Sequence, residues 1–284
     1  ADVLQQYTSL MGVGLNPSAW VNNFAYGAVQ NRLVNLGEGV YTRDSMKQAN
    51  KLLTSNSGRI ISDLATGKRT KDNKALAMIH TFDIAEDQRE APFNKTETGL
   101  QKAMDKAFIG QTYGEIMLQN SVMFAMMMDT KVVMSDGTET NLYDALVHDA
   151  DTGLITLPEG AQFMSGARMV DLNANSMGAF MNKVRHQNQY THGAYNKADA
   201  GLMQRHWYGR LAMQFRRWLP MGMKTRFGQR HFNEAREREE MGTYRALKDV
   251  LAAVAQDAST LKNLFTKLEN LNEEDRFMQQ QARR

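Results

Sequence analysis

The chain has 284 residues, a formal net charge of +3 and no cysteine. That excludes a disulfide framework, cysteine-based zinc sites, iron–sulfur clusters and a cysteine nucleophile, and with a pI near 9 it makes the basic character local rather than global. Twenty methionines offer adaptable apolar surface, and four prolines suit a helical chain.

Residues 1–16 are turn-rich. Asn16-Pro17 reads as an N-cap followed by a first-turn proline. Trp20, Val21, Phe24, Ala28 and Val29 then predict a helix ending near Leu36-Gly37. Thr42 or Asp44 can cap a second helix through Leu53, which the Ser/Asn/Gly cluster 54–58 breaks. Residues 59–99 are polar and mixed, with short helical pieces. A long helix is predicted from Thr98 to Asp129, on Met104, Phe108, Ile116, Met123, Phe124 and Met127. Its run Val122–Met128 is apolar all round, which means burial on more than one side, in a core or at a subunit interface. The run is too short to cross a membrane.

Residues 130–160 read as a small β-arm between long helices. Lys131–Met134 is a strand entering the Asp136-Gly137 turn, Leu142–Leu146 one helical turn, and Leu154–Leu157 a second strand ended by Pro158. Such an arm contacts either a neighbouring subunit or its own helices. After residue 160 the chain is expected to be helical again, with one helix from Asn173 to about Asn188. Asp199 can cap another, which ends near Leu219 because Pro220 disfavours helical geometry before it. A last helix starts after Gly242. Tyr244, Leu247, Leu251, Val254, Ala258, Leu261, Phe265 and Leu268 follow each other at alternating steps of three and four. That is a heptad seam for another helix, of this chain or of a neighbour.

Met203–Asn233 holds six arginines and one lysine, with no Asp or Glu. On a helical wheel Met203, Trp207, Leu211, Phe215 and Trp218 share one side, and Arg205, Arg210, Arg216 and Arg217 the other. With Lys224, Arg226 and Arg230 they form a candidate contact for phosphate or an acidic partner. The competing reading is a solvated face, or salt bridges to an acidic helix such as Glu234–Glu240. None of the six histidines sits in a metal-binding motif. His148-Asp149-Ala-Asp151-Thr-Gly153 lacks the remaining acidic positions of a calcium loop and reads as a turn. No phosphate loop, dinucleotide fingerprint or nucleophile elbow occurs, so no catalytic residue, metal or cofactor is nominated.

Three stretches also carry a resemblance. They are Asn188–Asp199 with its His192-Gly-Ala-Tyr195-Asn196 turn, Gly209–Pro220 with Phe215-Arg-Arg217-Trp218-Leu-Pro220, and Arg226-Phe227-Gly228 followed by Gly242-Thr-Tyr244-Arg245. Together with the arm Asp136-Gly137 … Leu142–Ala145 … Leu157–Gly160, they resemble a recurring pattern in very large virion-associated proteins of crAss-like short-tailed phages. The resemblance spans roughly residues 130–246. It implies cargo of the capsid interior or tail lumen, ejected with the genome, within polypeptides that can include a virion RNA polymerase. The Ala1 start fits methionine removal, or a piece of such a polypeptide.

The sequence thus predicts a mainly α protein, an elongated bundle of long helices with a small β-hairpin arm at about 130–160. Its regions are 1–99 (helical), 100–160 (long helix plus arm) and 161–284 (basic helix and heptad helix). The expected function is a non-enzymatic virion component, homo-oligomeric, with portal or tail proteins and packaged DNA as partners and no membrane-spanning segment. The alternatives are a non-catalytic segment of a virion RNA polymerase and a helical DNA-binding module.

Overall fold

The computed structural model describes residues 16–83, 109–166, 168–192, 223, 226–233 and 238–256. Most of them are helical, with small antiparallel sheets. Helix α1 runs Pro17–Glu38, α2 Arg43–Ser55, α3 Ser57–Thr66, α4 Lys74–Phe82 and α5 Ile109–Asp129. Polar side chains set their ends. The Ser45 amide donates to the Thr42 hydroxyl at the start of α2 (3.2 Å), and the Leu76 amide to Asn73 Oδ1 at the start of α4 (3.2 Å). Between α2 and α3, Asn56 donates its amide N–H to Leu53 O (3.1 Å) and Nδ2 to Leu52 O (2.8 Å). The expected break at 54–58 is therefore a one-residue joint between two helices.

Helix α5 is the centre of the core. It lies against α1, α2, α3 and the later helix α7 (Ala174–His192). Val122 through Met127 are all buried, with Met123, Phe124 and Met127 fully so. The all-round apolar run is thus enclosed by its own chain. Leu53, Ile60, Leu76, Met78, Phe163, Phe180 and Val184 complete that core. Asp129, at the far end of α5, accepts from the Thr42 amide (3.3 Å) and the Ser45 hydroxyl (2.9 Å), tying the start of α2 to the end of α5.

The β-arm differs from expectation in pairing and extent. Strand β1 (Lys131–Val133) pairs antiparallel with β2 (Glu139–Asn141) across the Asp136-Gly137 turn, where Gly137 has φ +82°. One helical turn follows, α6 (Leu142–Ala145). The expected second strand, β4 (Ile155–Thr156), pairs with β3 (Val147–His148) and not with β1. The other neighbour of β1 is β5 (Gln162–Ser165), which pairs with β6 (Arg168–Asp171), giving the order β2-β1-β5-β6. The sheet therefore runs past residue 160, where only helix was expected. Phe163 is the physical reason. It faces inward beside Val132 and meets Phe180 of α7 edge-on at 6.3 Å, while Gln162 and Met164 point out. The arm packs on its own helices. Phe124 of α5 meets Tyr143 edge-on at 5.6 Å.

Asn173 starts α7 by a reciprocal cap. The Ser176 amide donates to Asn173 Oδ1, and the Asn173 amide donates to Ser176 Oγ, both at 2.9 Å. Near the C-terminus, β7 (His231–Asn233) pairs with β8 (Arg238–Glu240), and α8 (Thr243–Gln256) follows. Residues 238–240 are thus strand, where the competing reading of the arginine face names an acidic helix. No helix among the described residues is long and apolar enough to cross a membrane.

Candidate functional site

Of the basic positions, Arg205, Arg210, Arg216, Arg217 and Lys224 lie outside the described residues, as do Leu261, Phe265 and Leu268 of the seam. Arg226 is exposed. Arg230 is held by Nε (2.9 Å) and Nη2 on Glu239 Oε2, across the β7–β8 hairpin. Leu251 and Val254 fall within α8. Tyr244 and Leu247 are 52% and 54% exposed, so the first two seam positions are uncovered. Ala246, between them, is buried instead.

The hairpin and α8 are joined by backbone contact. The Gly242 amide donates to Gly228 O (3.0 Å), and a Cβ at Gly242 would stand 2.6 Å from the Arg226 carbonyl oxygen. Only glycine permits that approach. The Phe227 ring meets Tyr244 edge-on at 5.1 Å, and Arg245 Nε donates to Phe227 O (2.7 Å). Arg226-Phe-Gly228 and Gly242-Thr-Tyr-Arg245 therefore grip one another. Phe232 and Phe227 stay more than half exposed.

A second grouping went unnoticed in the sequence. It is a polar layer where α1, α5 and α7 meet. The first two helices run side by side with matched notches. A Cβ on Gly110 would enter the Trp20 ring, and one on Gly27 would enter Leu118 Cδ1. At the end of this zipper, Asn31 Nδ2 donates to Leu118 O and Asn188 Nδ2 to Gln119 O, each at 3.3 Å. The Asn31 amide group thus leaves Oδ1 to accept, so the proton on His192 lies on Nε2, 2.9 Å away. Gln119, Asn120 and Ser121 are buried in mid-helix, and Asn120 turns Nδ2 back onto Ile116 O (2.9 Å). Asn120 Oδ1 and Asn188 Oδ1 are buried without a hydrogen-bond partner.

The electrostatics of this layer are unusual. Burial pushes the Glu115 carboxyl up to about 7, against a smaller opposing effect of the Gln111 hydrogen bond (3.0 Å). Burial also pushes His192 down to about 4, leaving it neutral. Such a layer costs free energy unless its groups are matched. A signal was present in the sequence: Gln111, Glu115 and Gln119 recur every fourth residue of the helix.

Two loops are tied down by side chains. Asp63 accepts from the Thr70 amide (2.8 Å) and hydroxyl (2.6 Å), with His80 Nε2 at 3.0 Å. Burial raises that carboxyl, but the Thr70 and His80 hydrogen bonds outweigh it and hold it below the usual range. Asp149 closes the 149–153 turn, accepting from the Asp151 amide and the Thr152 hydroxyl (3.0 and 2.6 Å). Its carboxylate thus serves the turn expected there. Among the described residues no group of three or more His, Asp or Glu could hold a metal ion. No family model, no curated protein and no solved structure matches this chain.

Proposed function

We propose that the protein is a non-enzymatic helical component of a phage virion, an elongated, self-associating protein of the capsid interior or tail lumen that leaves with the genome. The observation that carries this reading is the interlock of Arg226-Phe227-Gly228 with Gly242–Arg245. Those residues belong to the pattern resembling the virion-associated proteins of crAss-like phages. Their mutual contacts give part of the pattern a structural reason: the Arg226 and Gly228 backbone requires a glycine at 242, and Phe227 meets Tyr244. The enclosed core and the uncovered Tyr244 and Leu247 support a building block with outward apolar contacts.

The test is physical association with particles. The chain should co-purify with gradient-banded virions, resist protease until the particles are opened, and disappear from empty particles after genome release. A position on the outer capsid surface, or absence from virions, overturns the reading. The exposed Arg226, which follows the arginine-rich stretch 203–217 in the sequence, favours DNA contact as a second reading. Binding to duplex DNA should then weaken steeply with salt and vanish when Arg210, Arg216 and Arg217 are replaced by Glu.

A further inference from the structure

We infer that segment 226–228 and the start of α8 bind single-stranded DNA, stacking unpaired bases on Phe227 and Tyr244 and holding the strand's phosphates with Arg226, Arg245 and Lys248. This rests on the DNA reading above for the choice of polyanion, and places the contact in a different part of the chain. The rings are the first observation. Phe227 and Tyr244 meet edge-on, at 5.1 Å and 71°, yet stay 51% and 52% exposed. An edge-on pair covers one ring face and leaves three uncovered by the other ring. The cations are the second observation. Arg226 precedes Phe227 and is exposed. Along α8, Lys248 lies about 40° round from Tyr244 and Arg245 about 100°, and both are exposed. Arg245 Nε donates to Phe227 O (2.7 Å), which holds the guanidinium beside that residue. Its remaining N–H groups are donors suited to phosphate oxygens.

The occupant follows from charge and ring chemistry together. Nearby carboxylates do not cancel the cations. Glu239 is held by Arg230 and Glu240 is buried against Asn233, which leaves Asp249 as the exposed acid among the described residues of the unit. Open rings interleaved with cations are the pattern of single-strand binding, in which bases stack on the aromatics and the backbone follows the positive charge. A duplex hides its base faces and cannot use the rings. An acidic peptide would answer the cations and leave the rings without a stacking partner. The site is also set in advance of binding. The Gly242 amide on Gly228 O, with no room for a Cβ beside the Arg226 carbonyl, fixes α8 against Phe227. Two rings hold roughly two or three bases, so binding is modest and weakens with salt.

The test is fluorescence anisotropy of the full chain with a labelled oligothymidine of about 12 nucleotides, beside a duplex of equal length. The single strand should bind more tightly than the duplex. Tyr244→Leu removes the ring and keeps apolar bulk on an exposed helical position, and should weaken single-strand binding at least about fivefold. Tyr244→Phe should retain it. Arg226→Ala and Lys248→Ala should each lower the salt slope by about 0.7. Duplex bound as tightly as single strand, indifference to Tyr244→Leu, or unchanged slopes in both alanine variants overturns the inference. Tighter binding of oligouridine overturns the choice of DNA. Tyr244-dependent binding to phosphatidylcholine–phosphatidylserine vesicles, with oligothymidine unbound, overturns it in favour of a lipid surface. Duplex binding through Arg210, Arg216 and Arg217, and virion association, are read separately, so each proposal can fail alone.

Discussion

Helix α5 and the 226–256 hairpin–helix unit are held by opposite means. In α5 the side chains do the work: Met123, Phe124 and Met127 are fully buried, and the backbone is an ordinary helix. In the C-terminal unit the backbone does it, through the approach of Gly242 to Gly228 and Arg226, while Phe227, Phe232, Tyr244 and Leu247 remain exposed. The exposed aromatics of 226–247 therefore contribute less burial than their prominence in the sequence suggests. The stabilising side chains sit in a plainer methionine-rich helix.

The largest test of this contrast is a pair of truncations. Phe124→Ala should cost about 3–5 kcal/mol by urea denaturation, from lost burial, the cavity and the Tyr143 contact. Leu247→Ala should change stability by less than about 0.5 kcal/mol. Equal losses would erase the distinction.

The polar layer beside the core predicts two opposed pH dependences. Glu115 has a raised folded value, about 7 against 4.5. Its contribution is intact below pH 4.5 and is lost as pH rises to 7. His192 has a lowered folded value, about 4 against 6.5. Its contribution is intact above pH 6.5 and is lost as pH falls to 4. Each slope is at most about 1.4 kcal/mol per pH unit, and the solvent access Glu115 retains lowers its share. In the wild type they offset one another between pH 4.5 and 6.5. Glu115→Gln should therefore lose stability on acidification, and His192→Gln should gain it. Melting temperatures across pH 4–8 measure both, and flat profiles in both variants would remove the layer's electrostatics.

Smaller effects belong to the C-terminal unit. Gly242→Ala should cost about 1–3 kcal/mol locally. The readout is faster amide exchange in 226–256 while α5 stays protected, and faster exchange in α5 as well would mean the two regions unfold as one. Smallest is Arg230→Ala. Its pair with Glu239 is roughly half exposed on both sides, so the loss should be about 0.2–1 kcal/mol and shrink with salt.

Much of the helical part was readable in advance because the signals were local. Asn16-Pro17, Thr42 and Asn173 each act on the next three residues, and each starts a helix where expected. Strands β5 and β6 were missed because their reason is distant: Phe163 needs Val132 and Phe180 beside it before its alternation means anything. The pairing of β4 with β3 instead of β1 is likewise a choice among partners that no short window contains. The polar layer was passed over for a related reason. Asn31, Asn188 and His192 are unremarkable singly, and become a site only when three helices bring them to Leu118 and Gln119. Of the arginine pattern, Arg230 pairs with Glu239 within the same hairpin, one of the acids at 234–240 named by the competing reading.

The 67–73 loop has a practical consequence. It carries Lys68, Arg69 and Lys71, three trypsin targets in a row of exposed residues. Its middle is held from two directions: Thr70 by Asp63 of α3, and the Lys71 carbonyl oxygen by His148 Nε2 of the β-arm (2.9 Å). A protease must draw several residues into an extended shape before it can cut, and both tethers oppose that. The cutting rate there is thus a reporter of arm docking, legible on a gel. As long as the arm stays seated on its helices the chain is nicked slowly, and any partner or variant that lifts the arm would announce itself by a break near residue 70.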